Sequence, residues 1–139
     1  MIAAGQLHHV AYVVADLDAA LPLFVARFGL VEQIREVMPE QGVEATMLGA
    51  GGASVELITP LDPEGAIARF LDRRGEGLHH VAFGVPDIDA ALAELARTGV
   101  ELIDTRARRG LGGHRVAFIH PRSGAGALTE LVEVRDTAR

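Results

Sequence analysis

The sequence predicts an α+β protein, a single domain made of two copies of one β-α-β-β-β module. Three observations carry that reading. The segment Leu7–Leu21 (LHHVAYVVADLDAAL) returns as Leu78–Leu92 (LHHVAFGVPDIDAAL), with eleven of fifteen positions identical at an offset of 71. A weaker echo relates Gly52–Leu57 (GASVEL) to Gly126–Leu131 (GALTEL) at an offset of 74. The chain has 139 residues, enough for one domain, and a period near half its length is too long for a solenoid. Two similar modules packed within residues 1–139 account for all three.

Each element has a local reason. Residues 7–14 are short, apolar and partly β-branched, which reads as a strand. Asp16 then caps a helix running to about Phe28, and Gly29 supplies its stop; Asp87 and Gly99 do the same in the second copy. Leu17, Ala20, Leu21, Phe24 and Phe28 fall near helical spacing and give that helix one buried face. Strands follow at about 30–38, 43–49 and 53–59, broken by Pro39–Gly42 and Gly49–Gly52. Residues 63–74 form a short linker helix. The second module continues with strands near 100–104, 114–119 and 127–134, with Arg106–Gly113 as a loop. The modules thus span about 6–60 and 77–135.

Composition removes whole chemistries. There is no Cys, so there is no disulfide, thiolate nucleophile or Cys-based zinc site. All 13 basic residues are Arg, which removes lysine Schiff-base and P-loop chemistry. Neither serine, Ser54 or Ser123, lies in a G-x-S-x-G elbow. The net charge of −6 argues against nucleic acid or an anionic membrane as the partner. No apolar run approaches a membrane span, and Met1–Gln6 lacks a basic n-region, so a cytoplasmic location is expected.

What remains for catalysis is carboxylates, six histidines, Arg and a possible metal. His9 and His80 occupy equivalent strand positions, and Glu56 and Glu130 occupy equivalent positions on each module's last strand. Pseudo-twofold packing would bring two imidazoles and two carboxylates to one point. Such a set suits Co, Ni, Mn, Fe or Zn and leaves open positions for a chelating substrate. A duplicated gene also copies structural residues, so the pattern by itself leaves both readings open. Strand parity separates His9, Ala11 and Val13 from His8, Val10, Tyr12 and Val14. The larger apolar set belongs under the helices, which turns His9 and His80 toward the groove.

The segments Leu7–Tyr12, Pro39–Val43 (PEQGV), Gly75–Phe83 (GEGLHHVAF), Gly110–Gly124 (GLGGHRVAFIHPRSG) and Leu128–Leu131 (LTEL) resemble the vicinal oxygen chelate superfamily. Within it they resemble the methylmalonyl-CoA epimerase family, over roughly residues 6–134. The resemblance implies a curved mixed sheet around a metal site, held by His9, Glu56, His80 and Glu130. It implies one divalent ion (Co, Mn, Ni or Zn), an acyl-CoA substrate and a homodimer. The third ligand is often Gln in these epimerases; here it is Glu56, and a two-His, two-Glu set is also the glyoxalase I pattern.

The activity implied is epimerisation of (2R)/(2S)-methylmalonyl-CoA through a metal-stabilised enolate, in propionyl-CoA metabolism. Glu130 would act as ligand and proton acceptor by turns. Some epimerases use a second carboxylate on the strand after Pro-Glu-Gln-Gly. Aligned on Pro39, that position is Ala45, and Glu44, one residue earlier, faces the other side of the sheet. Return of the proton to the other face therefore stays open between rotation of the enolate and a second donor, with Gln41 and His114 as candidates. Arg106, Arg108, Arg109 and Arg115 read either as an anchor for CoA phosphates or the malonyl carboxylate, or as a solvated loop. The alternatives are a glyoxalase I-type lyase acting on a glutathione hemithioacetal, and a non-catalytic binding protein of the same fold. An extradiol dioxygenase fits less well, because Glu56 would be a surplus ligand.

Overall fold

A computed structural model describes residues 5–134; the outermost residues of the expected 1–139 domain, and residue 135 of its second module, lie outside them. The chain divides into two compact units, His9–His79 and a second that joins the residues up to His8 to those from His80 onward. The divisions fall inside the two His-His pairs.

In the His9–His79 unit, β1 (Gln6–Val13) leads into α1 (Leu17–Pro22), then β2 (Val31–Met38), β3 (Val43–Ala50), β4 (Ala53–Pro60) and α2 (Ala66–Arg74). The strand order is β2-β3-β4-β1, with β1 parallel to β4 and the other pairs antiparallel. Asp16 caps α1 through Oδ1, which accepts from the N–H of Asp18 at 2.9 Å and of Ala19 at 3.3 Å. The expected helix to Phe28 is interrupted. Regular α-helix stops at Pro22, and Leu23–Arg27 is a wide π-type turn ending at Gly29 (φ 73°). Pro22 has no N–H to give the carbonyl of Asp18, so the regular ladder cannot run through it. Leu17 and Phe24 still bury against Val14, Leu48 and Leu57 as one core layer. Each fully buried leucine there contributes about 1.5–3 kcal/mol.

The linker helix starts at Ala66 rather than 63, because a tight turn occupies Asp62–Gly65. The Asp62 carboxylate accepts from the N–H of Glu64 at 2.9 Å, and its carbonyl from the N–H of Gly65 at 3.1 Å. Earlier in the unit, Pro39–Gln41 forms a single 3-10 turn closed by Gly42, whose φ is 66°.

In the other unit, β5 (Gly77–Val85) leads into α3 (Ile88–Arg97), β6 (Arg108–Arg109), β7 (Arg115–Ile119) and β8 (Thr129–Glu133). The order is β5-β8-β7-β6, the same arrangement as in the first unit. Asp87 caps α3, its carboxylate accepting from the N–H of Ala90 at 3.0 Å. Ile88, Ala91 and Leu92 pack on Val85, Ala117, Ile119 and Leu131. The expected strand at 100–104 does not form; only an isolated bridge pairs Leu102 with Ile119. Asp104 replaces ladder with side chain: its carboxylate accepts from the N–H of Phe118 at 2.8 Å, while Ile103 and Asp104 both donate to the Phe118 carbonyl. The module's short strand is instead β6, within the Arg106–Gly113 stretch expected to be loop.

Candidate metal centre

Parity places the two histidine types as expected. Tyr12 of β1 and Val14 just after it lie with the α1 core, so His9, Ala11 and Val13 take the opposite face. In β4 the same alternation sends Leu57 to the core and Glu56 to the His9 face. Parallel register sets Ala11 directly beside Glu56. An alanine there leaves room for the carboxylate to lean along the strand toward His9, and the two meet at 3.2 Å (Nε2 to Oε1). The pair is buried, with side chains 4 % and 10 % exposed.

The second unit repeats the construction. Ala82 lies beside Glu130 in register, and His80 Nε2 is 3.7 Å from Glu130 Oε1. These side chains are 2 % and 9 % exposed. Adjacent corners of an octahedron with metal–ligand bonds of about 2.1 Å are about 3 Å apart. The His9–Glu56 pair, at 3.2 Å, has that spacing to within a few tenths of an ångström, and the His80–Glu130 pair, at 3.7 Å, is wider. Burial of imidazole with carboxylate, without an Arg in the pair, is costly unless a cation or proton is shared. The donor chemistry of each pair therefore fits a borderline or hard divalent ion, and His9, Glu56 and His80 form a group that could hold one.

The surroundings of the two pairs differ. Beside Glu130, in direct register, stands Phe118 of β7, whose ring meets His80 edge-on at 5.2 Å. The Arg108 guanidinium lies over the Phe118 ring at 5.1 Å, and its Nε is 3.3 Å from Asp104. Beside Glu56 stands Met47 of β3. Sequence reading did not single out Phe118; strand parity, counted from the core residues Ala117 and Ile119, would have placed it on the Glu130 face.

The arginine group divides by face. Arg115 is bidentate to Asp89 on α3, at 2.8 and 2.9 Å, with Glu133 at 3.4 Å. The hydrogen bond with Asp89 raises the Arg115 pKa and lowers that of Asp89. Arg115 is thus tied to the helix, while Arg108 pairs in register with Val116 on the Glu130 face. Glu44 accepts from Arg35 at 3.1 Å, and Arg35 also reaches Asp18 of α1 at 2.8 Å. Glu44 therefore lies on the helix side, as its position one residue from Ala45 requires, and these two hydrogen bonds raise the pKa of Arg35. Of the other proton-donor candidates, His114 stacks edge-on with His8 at 5.7 Å and Gln41 sits in the Pro39–Gln41 turn.

Among the described residues no helix is long and apolar enough to cross a membrane. The family model for the Glyoxalase/Bleomycin resistance protein/Dioxygenase superfamily matches residues 8–118. The mitochondrial methylmalonyl-CoA epimerase of Mus musculus is 35% identical, over 91% of this chain and 72% of that protein. The ethylmalonyl-CoA/methylmalonyl-CoA epimerase of Cereibacter sphaeroides is 33% identical, over 94% of this chain and 98% of that one. A solved variant of Streptomyces coelicolor methylmalonyl-CoA epimerase, in complex with 2-nitronate-propionyl-CoA, superposes with a TM-score of 0.90 at 34% identity, covering 97% of each chain. The duplicated α+β chain belongs to this superfamily, and within it to the methylmalonyl-CoA epimerase family, a family of isomerases.

Proposed function

We propose that this chain is a metal-dependent epimerase of (2R)/(2S)-methylmalonyl-CoA in propionyl-CoA metabolism. The observation that carries the reading is the buried His–Glu pair, built in the same register in both modules. Membership of a family whose relatives bear that name, and a neighbour holding an acyl-CoA analogue, support the substrate class. In this reading residues 1–139 act as one domain, because each module carries only half of the donor set. A homodimer and a cytoplasmic location belong to the same proposal.

His9, Glu56, His80 and Glu130 would hold Co, Mn, Ni or Zn, each imidazole through a ring nitrogen and each glutamate through a carboxylate oxygen. When bound, the ion supplies positive charge at the oxygens on which negative charge develops as the C2 proton leaves. Glu130 takes that proton, its carboxylate being the one flanked by Phe118. The aromatic wall and the buried alanines keep water from the reacting groups, which strengthens every charge interaction there. Arg108, on the same face as Glu130, offers its guanidinium to the substrate's anionic groups.

The test is proton NMR of methylmalonyl-CoA in D2O with the metal-loaded protein, followed by a stereochemical assay. Loss of the C2 proton signal, abolished by EDTA and by Glu130→Ala, is the expected result. No exchange above background with Co, Mn, Ni and Zn each supplied would overturn the proposal. The hemithioacetal of methylglyoxal and glutathione would then be the substrate to try.

A further inference from the structure

Inversion at a carbon acid returns a proton to the side opposite the one it left, either after the enolate rotates or from a second proton carrier, and no residue is yet assigned as that carrier. The strand registers of the His9–His79 unit locate one. On β2, Arg35 points to the helix side, where it meets Asp18 and Glu44. Its neighbour Glu36 therefore points to the face that carries His9 and Glu56. Glu36 pairs directly with Ala45 of β3, and Ala45 with Ile58 of β4, two residues beyond Glu56.

On that face β2 offers Ile34, Glu36 and Met38, β3 offers Val43, Ala45 and Met47, and β4 offers Glu56 and Ile58. Glu36 is thus the acid on this face of the three strands besides Glu56 itself. It is half-buried, and the side chain separating it from β4 is the single methyl group of Ala45. Two strand spacings and two residues put the Glu36 and Glu56 backbones about 12 Å apart. That spacing is wide enough for a small acyl group lying over the methyl group of Ala45, with Met47 and Ile58 as its neighbours on that face.

We propose that Glu36 is the second proton carrier of the epimerisation, reaching over Ala45 to the reacting carbon. The proposal rests on the functional reading above. In one direction Glu130 breaks the C2–H bond and takes the proton, leaving its electron pair on the enolate. Glu36, entering as the carboxylic acid, gives its proton to the opposite side of C2, forms the new C–H bond and becomes a carboxylate. Exchange with solvent resets both acids, and the reverse direction exchanges their roles.

The experiment compares wild type, E36Q and E36Q/A45E for C2 deuterium exchange and for inversion, starting from each epimer separately. Metal content and thermal midpoint are measured on the same samples. E36Q is expected to keep exchange of one epimer within about threefold of wild type while losing inversion by about 100-fold or more, the usual worth of a positioned general acid. Its metal content and thermal midpoint stay at the wild-type values. Recovery of inversion in E36Q/A45E, which moves the carboxylate across the strand pair, would support the assignment. Inversion by E36Q within threefold of wild type would overturn it and leave the functional reading standing. Equal loss of exchange for both epimers would also overturn it. A wild-type protein that neither exchanges nor inverts would overturn the functional reading and this assignment together.

Discussion

Replacing His80 with alanine tests whether the four buried groups act as one donor set. His80 is 6 % exposed and its Nε2 lies 3.7 Å from Glu130, so the substitution removes one donor from a closed environment. A ligand at 100 times its Kd stabilises the folded state by about 2.7 kcal/mol. Unfolding entropy runs at about 2.1 cal/mol/K per residue, or about 0.29 kcal/mol/K for 139 residues. Metal-free protein titrated with Mn2+ or Co2+ should therefore melt about 9 °C higher. Losing a direct ligand costs at least the roughly 100-fold seen for outer-shell partners. At the same free metal concentration the gain in H80A falls to about 0.4 kcal/mol, a shift of about 1–2 °C. Glu44→Gln is the control, because Glu44 pairs with Arg35 on the helix side and should keep the full shift. Differential scanning fluorimetry with and without EDTA reads all three. Equal shifts in wild type and H80A, or no shift in wild type with Mn, Co, Ni or Zn, would refute the reasoning.

Other outcomes follow from single contacts. Arg108→Gln should raise KM for methylmalonyl-CoA by about 10–100-fold, the worth of a charge-assisted hydrogen bond, with little change in kcat. Comparing methylmalonyl-pantetheine, which lacks the nucleotide phosphates, tells which anion Arg108 reads. Gly42→Ala should lower stability by about 1–2 kcal/mol by denaturant titration, since φ is 66° and a Cβ would stand 2.7 Å from that of Asp62. The Arg115 guanidinium holds the Asp89 carboxyl below its ordinary range, so the folded state binds that proton less readily than the unfolded chain. The pair's stabilisation is then present above the ordinary carboxylate pKa and is lost as pH falls through the lowered value. The difference in melting temperature between wild type and Asp89→Asn should be complete at about pH 6 and should close on acidification below about pH 4.

Much of the site was legible before any fold was known, because its signals are local. A duplicated His-His-Val-Ala strand and a duplicated Glu-Leu strand mark paired candidate donors. Period-two alternation is enough to turn His9 toward one face and Val14 toward the other, and to send Glu44 away from the Glu56 face. Asp16 and Asp87 declare their helix starts by residue type alone. Pro22 was also visible, and its missing N–H accounts for the helix that stops early.

Register and neighbour identity belong to the tertiary structure, because they depend on which strands pair and at what offset. Nothing local to Glu56 or Glu130 tells that an alanine lies beside each, or that Met47 flanks one and Phe118 the other. The four arginines of 106–115 look alike in sequence, yet β6–β7 pairing sends Arg108 over Phe118, while Arg115 is tied to α3. The same pairing lets the Asp104 carboxylate stand in for a strand that the apolar pattern at 100–104 had promised. Glu36 becomes a candidate acid only once β2 is set against β3 and Ala45 is seen to leave its path open. Residue chemistry and periodicity determine which groups a strand can present; long-range pairing, fixed by burial of the helix-side cores, decides what those groups meet.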